Sequence, residues 1–310
     1  MPRLPKPKPK HLITLASLSF IGVALAQQGE QLRRIHLDAF GWCWLFLGLL
    51  LTGASILINA LAWRQLLRWL GHRPEGIAVV ALFVRSNLLK YLPGGIWHLV
   101  ERVRVLRPQI DAGPALAGVI LDPLLIVAAA SLLLLFGGWQ DGLLLLAPVP
   151  LVLLMLSRFR EPILLRLEKA KARQLEDAGS GPLQLSGSSR DGGPWGPLLI
   201  ELGFVLVRFS GFACCLMAFG MVSPPLNIWL AAFSMAYAAG LVVPGAPGGL
   251  GVFEATLLLR LGEGVAEAPL LAVVLSYRLI STAADVLLAA GVSLQNRLSP
   301  DLRFRDSSVD

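Results

Sequence analysis

The stretch LLKYLPGGIWHLVER, residues 88–102, decides how this chain is read. It sets Pro93-Gly94-Gly95 inside a long apolar run. LVVPGAPGGLGVFEA, residues 241–255, repeats the interruption with Pro247-Gly248-Gly249 in the other half of the 310-residue chain. Proline removes a backbone donor and glycine loosens a helix, so each motif predicts a broken helix. In hydrocarbon the peptide groups freed by a break are tolerated only where protein or a wet cavity covers them. Interrupted segments at matching places in two halves are the pattern of a transport site.

The surrounding sequence supports a membrane setting. Hydrophobic residues make up 55% of the chain and charged ones 15%, against about a quarter charged in soluble domains. The mean hydropathy is +0.68. GWCWLFLGLLLTGASILINALAW (41–63) and GPLLIELGFVLVRFSGFACCLMAFG (196–220) exceed the roughly 20 apolar residues that cross a bilayer. The expected fold is all-α and polytopic: a single transmembrane domain over 1–310 with about eight crossings. Unbroken spans are expected near 12–27, 41–63, 114–138, 142–157, 197–220, 227–243 and 270–292, with broken, re-entrant or half helices near 77–107 and 244–262.

The net charge of +7 is a topology signal rather than a nucleic-acid signal. Arg3, Lys6, Lys8 and Lys10 open the chain, and Arg158, Arg160, Arg166, Lys169, Lys171, Arg173 and Arg190 fill the longest loop. Both regions, and both termini, are therefore expected in the cytoplasm. Residues 158–195 divide into an amphipathic helix, RFREPILLRLEKAKARQLED (158–177), and a Gly/Ser/Pro-rich flexible linker. The helix lies on anionic lipid or serves as a solvated connector. The first segment also has the form of a cleavable secretory signal, ending near ALAQQ (24–28). Cys43, Cys214 and Cys215 fall in apolar spans and read as buried, inert thiols.

Ionisable side chains within the spans point to function: Arg85, Lys90, Asp122, Glu201, Arg208, Glu254, Arg278 and Asp285. Glu201 and Arg208, like Arg278 and Asp285, are two helical turns apart and share a face. Two such stripes either line a polar path or simply pair and hold helices together. Arginine offers a phosphate bidentate donors and a permanent charge, which favours Arg208 and Arg278 as ligands. Glu254, at the start of a short helix, either complements the helix dipole or binds a headgroup or proton. Near the first break, Tyr91 and Trp97 suit an interfacial aromatic belt. His98 reads as a hydrogen-bonded structural residue. Nucleotide, hydrolase and metal motifs are absent from the sequence, so no cofactor or metal is expected.

SNLLKYLPGGIWHLVERVRVL (86–106), AYAAGLVVPGAPGGLGVFEATLL (236–258) and SYRL (276–279) together resemble the lysylphosphatidylglycerol synthase transmembrane-region family. The resemblance implies a flippase-like domain of a bacterial inner membrane that binds or moves a lipid with a charged headgroup. The motif positions it carries over are Lys90, Pro93, Gly94, Trp97, Pro247, Gly248, Gly249, Gly251, Glu254, Tyr277 and Arg278. The chain departs from many relatives at Phe253, where they carry arginine, and at Asp122-Pro123, where they carry Glu-Arg. The soluble aminoacyl-transferase half of bifunctional members is absent from these residues. The expected role is lipid translocation, with Lys90, Trp97, Asp122, Arg208, Glu254, Tyr277 and Arg278 as substrate-binding residues. The alternative is the membrane subunit of a lipid- or glycolipid-modifying transferase with a soluble partner, and a third reading is a scaffold whose charges only pair.

Overall fold

A computed structural model describes residues 37–92, 96–137, 147–175, 192–243, 251–261, 265 and 267–298. The expected first crossing at 12–27, both Pro-Gly-Gly motifs and most of the Gly/Ser/Pro-rich linker lie outside the described residues. The described elements are all helical: α1 (Ala39–Trp69), α2 (Val79–Asn87) continued by a 3-10 turn (Leu88–Tyr91), α3 (Trp97–Ile110), α4 (Ala112–Leu133) continued by a 3-10 turn (Leu134–Gly137), α5 (Val149–Met155), α6 (Ser157–Leu175), α7 (Trp195–Ala218), α8 (Leu226–Val242), α9 (Val252–Leu261) and α10 (Glu267–Leu298).

Four of these are long and apolar enough to cross a bilayer: residues 39–69, 112–137, 195–218 and 269–295. Apolar α8 is shorter, at 17 residues. The chain is a multi-pass integral membrane protein. Eight crossings were expected, and the described residues supply these four long apolar helices. The expected crossing at 142–157 is only partly described. Within it α5 spans 7 residues and stops where Leu156 turns extended, with φ −89° and ψ 118°.

Helix α1 begins where Asp38 Oδ1 accepts the Gly41 N–H at 2.7 Å, satisfying a donor that the first turn leaves open. Phe40, Trp42, Phe46 and Leu50 face outward and are exposed, as lipid-facing side chains should be. The opposite face carries the small or polar Gly48, Thr52, Ser55 and Asn59, all buried. It packs along α7. Helices cross closely in membranes where no side chain separates the backbones. A Cβ on Gly211 would sit 2.4 Å from Thr52 Oγ1 and 3.2 Å from the Gly48 carbonyl, so this crossing admits only glycine.

Helix α4 is apolar around nearly its whole circumference and buried along most of its length, the pattern of a central helix. It packs on α3, α7 and α8. Pro123 lies within it and cannot donate to the carbonyl one turn back. Helix α6, the expected amphipathic helix, docks on α4 and α5. Arg160, Leu164 and Glu168, one turn apart, form its buried face. Cys214 and Cys215 are buried as expected, whereas Cys43 is exposed on the outward face of α1. That corrects the expectation for Cys43: an apolar span identifies lipid-facing positions as readily as core ones.

Candidate functional site

The bundle core holds a set of charges that sequence spacing alone did not pair correctly. Arg85, one of the eight flagged residues, is exposed on α2 and lies outside that core. The other seven are at most partly exposed. They fall into four groups among the described residues.

The first group is built around Arg102 on α3, which is buried at 2% exposure. Its Nε donates to Ser86 Oγ at 3.0 Å and its Nη2 to Asn87 Oδ1 at 3.0 Å. Its Nη1 stands 3.6 Å from Asp122 Oδ2. The guanidinium lies over the Phe83 ring at 3.7 Å and near Trp63 at 5.1 Å. Arginine tolerates such a setting because its weakly hydrated planar cation stacks and hydrogen-bonds at once. The Glu201 carboxyl of α7 also comes within hydrogen-bonding range of Asp122. Glu201 Oε2 also accepts from Asn59 Nδ2 of α1 at 3.1 Å.

Asn87 connects this group to the second. Its Nδ2 donates to Asp285 Oδ1 of α10 at 3.2 Å. Asp285 Oδ2 in turn receives the Tyr91 hydroxyl at 2.8 Å and the Lys90 ammonium at 2.6 Å. The carboxylate is thus fully engaged, and its residue is 1% exposed. Lys90 and Tyr91 lie in the 3-10 turn after α2, whose tighter winding precedes the first Pro-Gly-Gly motif.

The third group is Arg208 on α7. Its Nε donates to the Tyr277 hydroxyl at 2.9 Å and its Nη1 reaches Ser55 Oγ at 3.4 Å. Among the described residues no carboxylate lies within ion-pair distance of it, although it is 7% exposed. Lys90, Tyr91, Tyr237 and Asp285 are close enough to share its field. Aromatic rings wall this region: Phe212 lies 5.2 Å from Phe233 and 5.4 Å from Tyr277, and Phe253 stacks on Tyr277 at 5.9 Å. Phe253, where many relatives are expected to carry arginine, is part of that apolar wall.

The fourth group starts at Gly251, whose φ of +81° suits glycine at the entry to α9. Its N–H is accepted by Glu254 Oε2 at 2.8 Å, and Glu254 Oε1 pairs with Arg278 Nε. Glu254 therefore does the work of a helix-start carboxylate, with a cation attached. Trp97 opens α3 and is half-buried.

The two stripes do not form one mutual pairing. Glu201 turns to Asn59 and Asp122, Arg278 turns to Glu254, and only Arg208 and Asp285 approach the Lys90–Tyr277 region. The sequence reading missed Arg102, one of three arginines in RVRVLR (102–107) just after the first break, and the uncharged Asn59, Asn87 and Ser55. The available signal was periodicity: Arg102, Val103, Leu106 and Ile110 repeat at helical spacing and form the buried face of α3.

Compared with known families, residues 11–289 match the family described as Lysylphosphatidylglycerol synthase TM region. The match spans most of the chain, which belongs to that family. No curated protein matches it significantly.

Proposed function

We propose that this member of the lysylphosphatidylglycerol synthase transmembrane-region family binds the phosphate of a membrane lipid at Arg208 and carries that headgroup across the bilayer. One observation carries the reading: a buried guanidinium with no carboxylate within ion-pair distance among the described residues. A buried cation that no carboxylate contacts directly is costly in a low-dielectric core, and an anion that visits the site would offset that cost. Lys90 keeps ammonium hydrogens beyond its Asp285 contact, and the Tyr277 hydroxyl, which accepts from Arg208, still has its own hydrogen to donate; guanidinium geometry suits phosphate oxygens. Arg278, paired with Glu254, and Lys90, paired with Asp285, rank behind Arg208 as primary ligands. The membrane is proposed to be a bacterial inner membrane with both termini cytoplasmic, in keeping with the basic segments at 1–10 and 158–190.

The test is translocation of headgroup-labelled lipids in proteoliposomes, comparing wild type with Arg208→Gln and Arg208→Lys. The expected result is selective movement of phosphate-bearing lipids, at least about tenfold slower in Arg208→Gln and partly restored by lysine. Wild-type rates in a folded Arg208→Gln protein would remove Arg208 from the site. No movement by a well-folded wild type would favour a membrane subunit that needs a soluble transferase partner.

A further inference from the structure

We infer that Asp122 and Glu201 hold one proton between them, and that this proton is linked to occupancy of the Arg208 site, so that a lipid phosphate and a proton bind together. The inference rests on the Arg208 reading and adds its coupling ion.

The geometry begins with two carboxyl groups, one from α4 and one from α7, facing each other within hydrogen-bonding range. Ionised carboxylates only accept hydrogen bonds, so contact between them requires a proton on one. Asp122 Oδ1 is buried and finds no donor among the described residues, which leaves it as the acceptor for a shared proton. Both residues are sealed from solvent, at 6% and 1% exposure. Two like charges in such contact repel, so the pair gives up its second proton far less readily than its first.

Among the described residues the groups around the pair are few. Helix α1 contributes neutral Asn59, and α3 contributes Arg102. The phenol of Tyr237 on α8 lies within the field of Glu201. Through Arg102 and Asn87 the pair is connected to Asp285 and Lys90. Among the described residues the core then carries the cations Arg102, Lys90 and Arg208 against the acids Asp122, Glu201 and Asp285. The Glu254–Arg278 pair neutralises itself. With all three acids ionised, the core is neutral. With a proton on the pair it has one positive charge in excess, and Arg208 is the cation without a carboxylate. A phosphate monoanion at Arg208 restores neutrality only when that proton is present.

Distance makes the linkage strong enough to matter. Glu201 and Arg208 lie two turns apart on α7, about 10 Å along the axis. At that separation, with an effective dielectric near 20, one unit charge changes an anion's affinity on the order of tenfold. The sign follows directly. Acid conditions protonate the pair and tighten anion binding, while alkaline conditions release the proton and weaken it. By linkage, anion binding must draw in a proton by the same factor. A proton gradient across the membrane would then bias the direction of headgroup movement.

The experiment uses the full chain purified in detergent, with short-chain phosphatidylglycerol as the probe in weakly buffered solution containing a pH indicator. Wild type should take up about half a proton per lipid bound at the middle of the titration range of the pair, the most that a tenfold linkage allows. Its affinity should fall about tenfold from the acid to the alkaline side of that range. Glu201→Gln should bind with the affinity of the acid form at every pH and take up no proton. Asp122→Asn provides the same comparison if Glu201→Gln does not fold. Binding without proton uptake in wild type, or uptake that persists in the folded variants, overturns the linkage and leaves the Arg208 reading standing. No binding at any pH by folded wild type overturns the Arg208 reading and the linkage with it.

Discussion

Lys90 and Asp285 come from opposite halves of the chain, and the ammonium lies 2.6 Å from Oδ2. The lysine side chain is 25% exposed and the aspartate side chain fully buried. Removing one partner leaves the other charge in the core. Lys90→Met or Asp285→Asn alone should therefore cost about 3 kcal/mol, and Lys90→Met with Asp285→Asn much less than the sum. Thermal unfolding of the three variants in one detergent measures the coupling. Additive losses would show that the two side chains are energetically independent.

The α1–α7 crossing gives a second expectation. Gly211→Val should collide with Thr52 and the Gly48 carbonyl, lowering stability by at least about 1–3 kcal/mol or preventing assembly. Gly203 lies on the same helix with nothing within 4 Å of an added Cβ. Gly203→Ala should be neutral or gain up to about 1 kcal/mol from helix propensity. Retention of the folded, monodisperse fraction on size-exclusion chromatography distinguishes the two.

The cysteines report which face of each helix meets lipid. Cys43 is exposed, and Cys214 and Cys215 are buried. A membrane-permeant maleimide should label the wild-type chain once, and Cys43→Ser should abolish labelling until the protein is unfolded. Two or more labels on the folded wild type, counted by intact mass, would contradict the packing of α7.

Glu168 on docked helix α6 gives a pH dependence. Burial raises its carboxyl from 4.5 to about 7, and Oε2 finds no donor among the described residues. Because the folded-state value is raised, the fold is favoured by the protonated form. Stability should fall as pH rises from about 4.5 to 7 and level off above that. Glu168→Gln should be neutral near pH 5 and stabilising at pH 8, on the order of 1–3 kcal/mol. Melting curves at the two pH values test this, and an equal effect at both would rule out the titration.

The sequence made the long apolar helices legible because span length and composition are local properties. The segment 41–63 became α1, 114–138 became α4 with its 3-10 turn, and 196–220 became α7. It also flagged Asp122, Glu201, Arg208 and Asp285, since charge in hydrocarbon is conspicuous. Partner choice was not legible. Glu201 meets Asn59 and Asp122 from two other helices, a relationship set by rotation and crossing of helices rather than by spacing along one. Arg102 was lost among neighbouring basic residues, although only Arg102 of that run turns fully inward. Asn87 and Asn59 carry no charge, so a search for ions passes over the amides that join the ions together.

The separation of Lys90 from Asp285 along the chain also has a consequence for biogenesis. Lys90 and Arg102 leave the ribosome well before α10, and Glu201 emerges after Asn59 and Asp122 are already made. During synthesis Lys90 must therefore wait for α10 to deliver its aspartate. A chain stalled before residue 285 would leave Lys90 without its carboxylate, and membrane quality control could recognise that unmatched charge.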